Sequence, residues 1–282
     1  MSSQSHFTIS FPLKSPVDAK ALPEELSPMM PALFQAEDTI GTIHYSRFTV
    51  LSDKTFLFLG DFDSEFGQLM TDLAVHAGPV FDTIFKHVVN PPPTPVADHA
   101  GAFAEWTAAK LLHPLNLFTA YPDMTVKEIK AMASAADVTG GGVLNPFLVI
   151  LQAKSHVAFI EMELLLRART HGTHRDLEKV GTPHFAQFVP LEDDQIGFFT
   201  VYDGTFDKYI ADFTKNIGGT FDIIFKFITS PPPSPCRKYT QEFIDYAAGA
   251  NRLPIGFYQA YPGLSVQDIH ALIADSKAAT TH

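Results

Sequence analysis

The sequence repeats itself, because the residues from Gly181 onward match those from Gly41 onward at a constant offset of 140 residues and without a gap. About a third of the positions in 41–131 are identical to their counterparts in 181–271. In both copies a Phe-Asp-x-Ile-Phe-Lys segment is followed, after four residues, by three consecutive prolines. Solenoid units span only about 20 to 50 residues, so this longer period indicates a duplicated domain.

Each copy carries the same order of predicted elements. An apolar strand, Phe7–Phe11 or Phe147–Leu151, precedes a helix, a hairpin, a long amphipathic helix and a last strand that ends in Ala-Tyr-Pro. This β-α-β-β-α-β order is the ferredoxin-like unit, whose sheet has helices on one face only. A second copy can cover the other face, which predicts an α+β fold of two sheets packed face to face or closed into a barrel. The predicted domains are repeat 1 (1–138), a Gly-rich linker (139–146) and repeat 2 (147–282).

The composition narrows the class of partner. The net charge is −11 with 20 Lys and Arg residues, and nucleic acids and anionic membranes bind through clustered positive charge, so neither is expected as a partner. Phenylalanine occurs 25 times, which suggests large apolar interfaces or a cavity lined by aromatic rings. We therefore expect a small apolar molecule as the partner, with a homo-oligomer as a further candidate.

The chain contains a single cysteine, Cys236, which excludes an internal disulfide and a zinc site built on cysteines. The N-terminus has neither a basic nor an apolar region typical of a secretion signal, and no apolar run is long enough to span a membrane. The sequence therefore predicts a cytoplasmic protein.

A short acidic motif follows the hairpin in each copy. It reads Gly60-Asp-Phe-Asp63-Ser64 in the first copy and Thr200-Val-Tyr-Asp203-Gly204 in the second, and lies before the long helix. In this motif and in the order of its elements, the chain resembles the dimeric α+β barrel superfamily in its fused tandem form. The resemblance covers nearly its whole length. The resemblance implies an intramolecular dimeric α+β barrel. That superfamily includes haem enzymes, such as dye-decolourising peroxidases and chlorite dismutase, and cofactor-free monooxygenases.

Haem peroxidases of this superfamily carry a Gly-x-x-Asp-Gly motif with a catalytic Asp, a distal Arg and a proximal His. Each motif here departs from that pattern at one glycine. The resemblance implies that Asp63 and Asp203 are catalytic carboxylates and that haem is a candidate cofactor. The alternative is that both aspartates cap a helix or lie in its first turn.

Four candidate ligand-binding residues occur in both copies. His44 and His184 begin the second strand of each repeat, and Tyr121 and Tyr261 stand in the two Ala-Tyr-Pro segments. Related by an approximate two-fold axis, they could point into a central cavity and orient a ligand. Alternatively, the histidines bond to local backbone and the tyrosines pack with a polar tip. Two histidines are too few for a metal site, so none is expected.

Residues found in one copy only are freer to serve function. His76 and His87 face Asn216 and Phe227, and their spacing of three helical turns gives them one face of the predicted long helix, where either could be a haem axial ligand. Arg47 faces Gln187 and could bind an anion or polarise a peroxide. Each of the three could instead be an ordinary surface or hydrogen-bonded side chain.

The segment His171-Gly-Thr-His174-Arg175 also occurs in the second copy only. It could bind a metal or an anion, although two histidines three residues apart are common in ordinary loops.

Three functions remain open. The protein could bind or transform an apolar small molecule without a cofactor, using His44, His184, Tyr121, Tyr261 and Arg47. It could be a haem-dependent, peroxidase-like oxidoreductase that uses Asp63 and Arg47 on a peroxide. It could also be a non-catalytic scaffold. An absorption spectrum and ligand-induced thermal stabilisation would distinguish them.

Overall fold

The computed structural model describes residues 4–280. The strands are β1 (Ser5–Pro12), β2 (Ile43–Ser52), β3 (Thr55–Phe62), β4 (Asn116–Thr119), β5 (Leu144–Gln152), β6 (Pro183–Leu191), β7 (Gln195–Asp203) and β8 (Ile255–Gln259). The helices are α1 (Pro16–Leu26), α2 (Met30–Ile40), α3 (Phe66–Phe85), α4 (Ala100–Ala109), α5 (Val126–Ala135), α6 (His156–Ala168), α7 (Thr170–Val180), α8 (Phe206–Ile224), α9 (Thr240–Ala250) and α10 (Val266–Thr280).

The strands form two four-stranded antiparallel sheets, ordered β1-β3-β2-β8 and β4-β6-β7-β5. The first sheet therefore takes its edge strand β8 from the second repeat, and the second sheet takes β4 from the first. The compact units follow this exchange. Unit 1 runs up to Leu112 and adds Pro122–Ala131 and Leu253–Tyr261, and unit 2 holds the rest of the described chain.

The predicted α+β class and the tandem ferredoxin-like repeats are confirmed. The β-α-β-β-α-β pattern placed all four strands of a sheet in one repeat, and the structure differs on this point. The reason is that β4 and β8 are short and that each is followed by the same Ala-Tyr-Pro segment. Strand patterning therefore favours neither β2 nor β6 as their neighbour.

Unit 1 is built around stacked aromatic rings. Phe58 contacts Phe7, Phe48 and Phe81, which joins β1, β2 and α3 into one core. A short 3₁₀ turn divides the first helical region into α1 and α2, and the second repeat is divided at the equivalent place into α6 and α7. The long helix α3 is kinked at Ala77, where φ is −125°, two residues before Pro79.

Unit 2 repeats this core with the equivalent phenylalanines, and Phe213, which replaces Leu73, joins it. Phe198 of β7 contacts Phe147, Phe188, Phe213 and Phe221, which again joins three strands and the long helix. Within residues 4–280, no helix combines the length and the apolar character needed to cross a membrane.

Candidate functional site

In unit 1, three of the predicted site residues lie in one buried chain of polar contacts. The Tyr261 hydroxyl lies 2.8 Å from His44 Nδ1, and His44 Nε2 lies 3.2 Å from Asp63 Oδ2. The same Asp63 oxygen accepts the backbone N–H of Val126, at the start of α5. His44 is fully buried, and the chain joins a strand end of the second repeat to β2, β3 and α5 of the first.

Unit 2 contains the equivalent chain. Tyr121 Oη and His184 Nδ1 are 2.7 Å apart, and His184 Nε2 and Asp203 Oδ1 are also 2.7 Å apart. Asp203 accepts the backbone N–H of Val266, the first residue of α10. Here the tyrosine comes from the first repeat, so both chains link residues of different repeats.

The chemistry of the chain sets its direction. A carboxylate only accepts hydrogen bonds, so in unit 2 His184 Nε2–H donates to Asp203 and His184 Nδ1 accepts the Tyr121 O–H. This arrangement resembles a proton relay in form, and it also joins the exchanged strand to its host sheet. Because both copies keep it, we interpret it first as part of the fold; catalysis by Asp63 and Asp203 stays a prediction.

The alternative interpretation, in which each aspartate caps a helix, holds for a different helix from the one that the sequence indicated. The sequence offered them as caps or first-turn residues of the long helix that follows. Instead, Glu65 and Thr205 precede α3 and α8, whereas Asp63 and Asp203 bind the first N–H groups of α5 and α10.

Arg47 lies on β2 and is only 7% exposed. Burial lowers the pKa of Arg47 to about 10, while the negative charge of Asp61 acts in the opposite direction. Asp61 also bonds to His6, with His6 Nδ1 3.0 Å from Asp61 Oδ1. These side chains alternate along their strands with the core phenylalanines, so they lie on the sheet face away from α3. Anion binding by Arg47 stays a prediction.

Sequence reasoning missed Glu37 of α2. This residue is fully buried, its Oε1 accepts the Ser46 hydroxyl, and its Oε2 has no hydrogen-bond partner within residues 4–280. Burial raises the pKa of Glu37 to about 8, against the hydrogen bond from Ser46. The carboxyl group is therefore mostly protonated at neutral pH. Tyr258 and Asp38 lie beside it, joined by a 2.9 Å hydrogen bond.

A comparison of the two repeats at the offset of 140 residues could have identified Glu37 from the sequence. The corresponding residues of the second repeat are Leu177 for Glu37 and Ala186 for Ser46, and both are buried. A carboxyl group in one copy at a buried apolar position of the other is a candidate for function, because burying it without a full set of partners costs free energy.

Unit 2 contains an apolar cavity of about 20 Å³ between its sheet and its helices α8 and α9. Eight of its twelve lining side chains are aromatic, among them Phe147, Phe198, Phe213 and Tyr209. Burial raises the pKa of Tyr209, so its hydroxyl stays neutral. The sequence indicated an aromatic-lined cavity only from the number of phenylalanines, and nothing in its pattern placed that cavity in the second copy.

Neither predicted haem ligand is among the residues that line this cavity. His76 is exposed on α3. His87 was expected on the same helix, but α3 ends at Phe85, and the His87 ring nitrogens lie 2.9 Å from Asp18 Oδ1 and 3.3 Å from Glu25 Oε1. A haem iron would have to displace one of these carboxylates. Haem stays a prediction that the surroundings of neither histidine support.

No group of three or more His, Cys, Asp or Glu side chains in the described part of the chain has the arrangement of a metal site. His171 is exposed and His174 is half-buried, and burial lowers the pKa of His174.

No model of a known protein family and no curated protein matches this sequence. Among solved structures, the chain is similar to two proteins described as putative monooxygenases. One is from Lactobacillus acidophilus NCFM (9% identity, TM-score 0.40, 93% of this chain and 99% of that chain covered). The other is from Fusobacterium nucleatum (9% identity, TM-score 0.33, 93% and 96% covered). An anthrone oxidase-like protein is also similar (11% identity, TM-score 0.30, 94% and 98% covered). At TM-scores below 0.5 these likenesses support no function, which has to be inferred from the site itself.

Proposed function

We propose that the protein binds a small, largely apolar molecule in the cavity between the sheet and helices of unit 2. The observation that carries this proposal is the cavity wall, which is built from aromatic and aliphatic side chains. Such walls bind aromatic or aliphatic ligands through burial of apolar surface, with a few polar groups fixing the orientation. The surface of this cavity is apolar throughout, so a ligand without charged groups suits it best.

The space depends on residues that differ between the repeats. Val149, Leu151 and Tyr246 line the cavity in unit 2, whereas unit 1 has the larger Ile9, Phe11 and Trp106 at these positions. In unit 1 the Phe11 ring packs against Trp106 at a centroid distance of 5.4 Å.

Two changes act in the opposite direction, because Tyr209 and Phe213 replace Leu69 and Leu73. Unit 2 therefore has more bulk on the helix and less on the sheet, which leaves space against β5. A cavity of about 20 Å³ admits one water-sized sphere, so a larger ligand displaces part of the wall.

Ligand-induced stabilisation tests the proposal. Thermal unfolding is measured with one-ring and two-ring aromatic probes, such as indole and naphthalene, and we expect the melting temperature to rise with probe concentration. Leu151→Phe places the first repeat's residue in the cavity and should abolish the rise. Phe11→Leu is the matched control in unit 1 and should leave it intact. Equal responses of wild type and Leu151→Phe would contradict the proposal.

The haem-dependent and scaffold functions stay separate predictions. An absorption spectrum recorded with added haemin tests the first, because an axial histidine produces a shifted Soret band that His76→Ala or His87→Ala would remove. A scaffold would show neither a haem spectrum nor stabilisation by aromatic probes.

A further inference from the structure

Helix α2 covers the junction of β2 and β8 in unit 1, and it buries a carboxyl group there. Ser46 and Tyr258 stand opposite each other on the two strands. From α2, the Phe34 ring packs against Tyr258 at a centroid distance of 5.9 Å, and Glu37 accepts the Ser46 hydroxyl through Oε1. Glu37 Oε2 is buried and has no hydrogen-bond partner within residues 4–280. One oxygen of the carboxyl group is therefore unsatisfied at the contact between helix and sheet.

Unit 2 makes the same contact without polar groups. Helix α7 is the equivalent of α2, and the three polar side chains of unit 1 are replaced by buried apolar ones. These are Leu177 for Glu37, Ala186 for Ser46 and Phe118 for Tyr258. The fold therefore forms with an apolar contact, whereas unit 1 carries a carboxyl group that costs free energy to bury. Three polar side chains that occur together in one copy only indicate a role beyond packing.

The surroundings of Glu37 favour its protonated form. Burial raises its pKa to about 8, and the negative charge of Asp38, the next residue of α2, acts in the same direction. The strands present two hydroxyl groups, those of Ser46 and Tyr258, but the Tyr258 hydroxyl donates to Asp38. Lys130 of α5 also pairs with Asp38, at 3.1 Å and on the surface. The positive charge nearest in this network is therefore already bonded to the other acid.

Helix α3 also packs against α2, and its titratable side chains are directed elsewhere. Asp72 bonds to Gln68, Asp82 accepts the backbone N–H of Val96, and His76 is exposed. On the strands, His44 contacts Tyr261 and Asp63. An ionised Glu37 would therefore face Asp38 and two hydroxyl groups, and no cation of the described chain. A buried charge in such a place is strongly unfavourable.

We propose that α2 is a proton-controlled cover over the β2–β8 junction and opens when Glu37 loses its proton. The helix lies between two turns, the 3₁₀ turn Ser27–Met29 before it and Gly41 after it, where φ is 71°. It can therefore move away without unravelling α1 or β2. Opening would bring the carboxylate into water and uncover the hydroxyl groups of Ser46 and Tyr258. Local opening of one helix costs less free energy than unfolding of the whole unit.

The direction of the pH dependence follows from the two states. Glu37 ionises near its ordinary pKa of 4.5 when α2 is open and near 8 when α2 is closed. The open state therefore releases a proton between these values, and the equilibrium constant for opening rises with pH up to about 8 and then levels off. Between pH 6 and pH 9 the expected rise is about 90-fold.

Hydrogen–deuterium exchange of the full chain, followed by mass spectrometry from pH 6 to pH 9, tests the proposal. Each rate is divided by that of an unstructured peptide at the same pH. The amides of α2 should show the rise of about 90-fold, and at pH 9 they should be at least tenfold less protected than those of β3. The amides of α7 are the internal control, because Leu177 occupies the equivalent position, and should show no rise of this size.

Glu37→Gln keeps the shape of the side chain without its charge and should abolish the rise in α2. Glu37→Leu, the residue of the second repeat, is the second variant if Glu37→Gln does not fold, which circular dichroism checks. Three outcomes would overturn the proposal. They are α2 and β3 amides with equal protection at every pH, a rise in α7 as large as that in α2, and a rise in α2 that both variants retain.

Discussion

The two units share a buried Tyr-His-Asp chain and a phenylalanine core, and they differ in the polar groups buried around them. Both place a tyrosine of the other repeat against a histidine, and that histidine against an aspartate. Around this shared frame, unit 1 buries Glu37, Arg47 and Asp61 where unit 2 buries Leu177, Gln187 and Val201. The two repeats therefore share the groups that hold the exchanged strands, whereas at these positions unit 1 buries polar side chains and unit 2 buries less polar ones.

The largest expected effect comes from breaking the shared chain. His44→Ala and His184→Ala each leave a buried aspartate without its ring partner, and each should lower the free energy of unfolding by about 3 to 5 kcal/mol. Urea unfolding measures both. If one variant loses much less than the other, the two chains are not equivalent, and the tolerant one is the better candidate for a role in chemistry.

The second prediction concerns Glu37, which distinguishes the units. Because the pKa of Glu37 is raised by burial to about 8 in the folded protein, the folded state keeps a proton that the unfolded state loses above its ordinary pKa near 4.5. The stability of wild type should therefore fall as the pH rises from about 4.5 through about 8, and then level off.

Glu37→Leu, the residue of the second repeat, should remove this dependence. Its stability relative to wild type should increase by about 2.6 kcal/mol between pH 6 and pH 9, measured by urea unfolding at both values. Glu178→Gln removes an exposed carboxylate of the second repeat and serves as control. A constant difference between Glu37→Leu and wild type across this range would show that Glu37 is ionised throughout.

The smallest expected effect comes from removing the capping hydroxyl groups at the starts of α5 and α10. Thr125 and Glu128 bond reciprocally at α5, and Ser265 and Asp268 do so at α10. Thr125→Ala and Ser265→Ala should each cost about 1 kcal/mol, measured by thermal unfolding. Unequal losses would indicate that Asp63 and Asp203 support their helices to different extents.

Much of the fold could be predicted from the sequence because the same patterns of residues occur in both copies. The hairpins and the long helix after each of them follow from local patterns, and the structure confirms them. His44, His184, Tyr121, Tyr261, Asp63 and Asp203 could be selected as a set, since they occur twice and carry polar groups.

Their pairing could not be predicted in the same way. Strand patterning shows which face of β8 is buried, but it does not distinguish β2 from β6 as a neighbour when the two repeats are alike. Glu37 lies in a helix that also carries Asp38 at its surface, so local sequence makes it one of two adjacent acids. Only the comparison with Leu177 reveals its burial.

The exchange of β4 and β8 also determines when the first sheet can be completed during synthesis. The β2 edge of the first sheet is complete by Ser52, but its neighbour β8 begins at Ile255, about 200 residues later. At translation rates of about 5 to 20 residues per second, the ribosome needs about 10 to 40 s to supply that strand. During this interval the growing chain presents an open strand edge, which is the feature that chaperones cover and that neighbouring nascent chains can pair with. The exchange of strands therefore makes the first sheet depend on residues that are translated about 200 positions after its own hairpin.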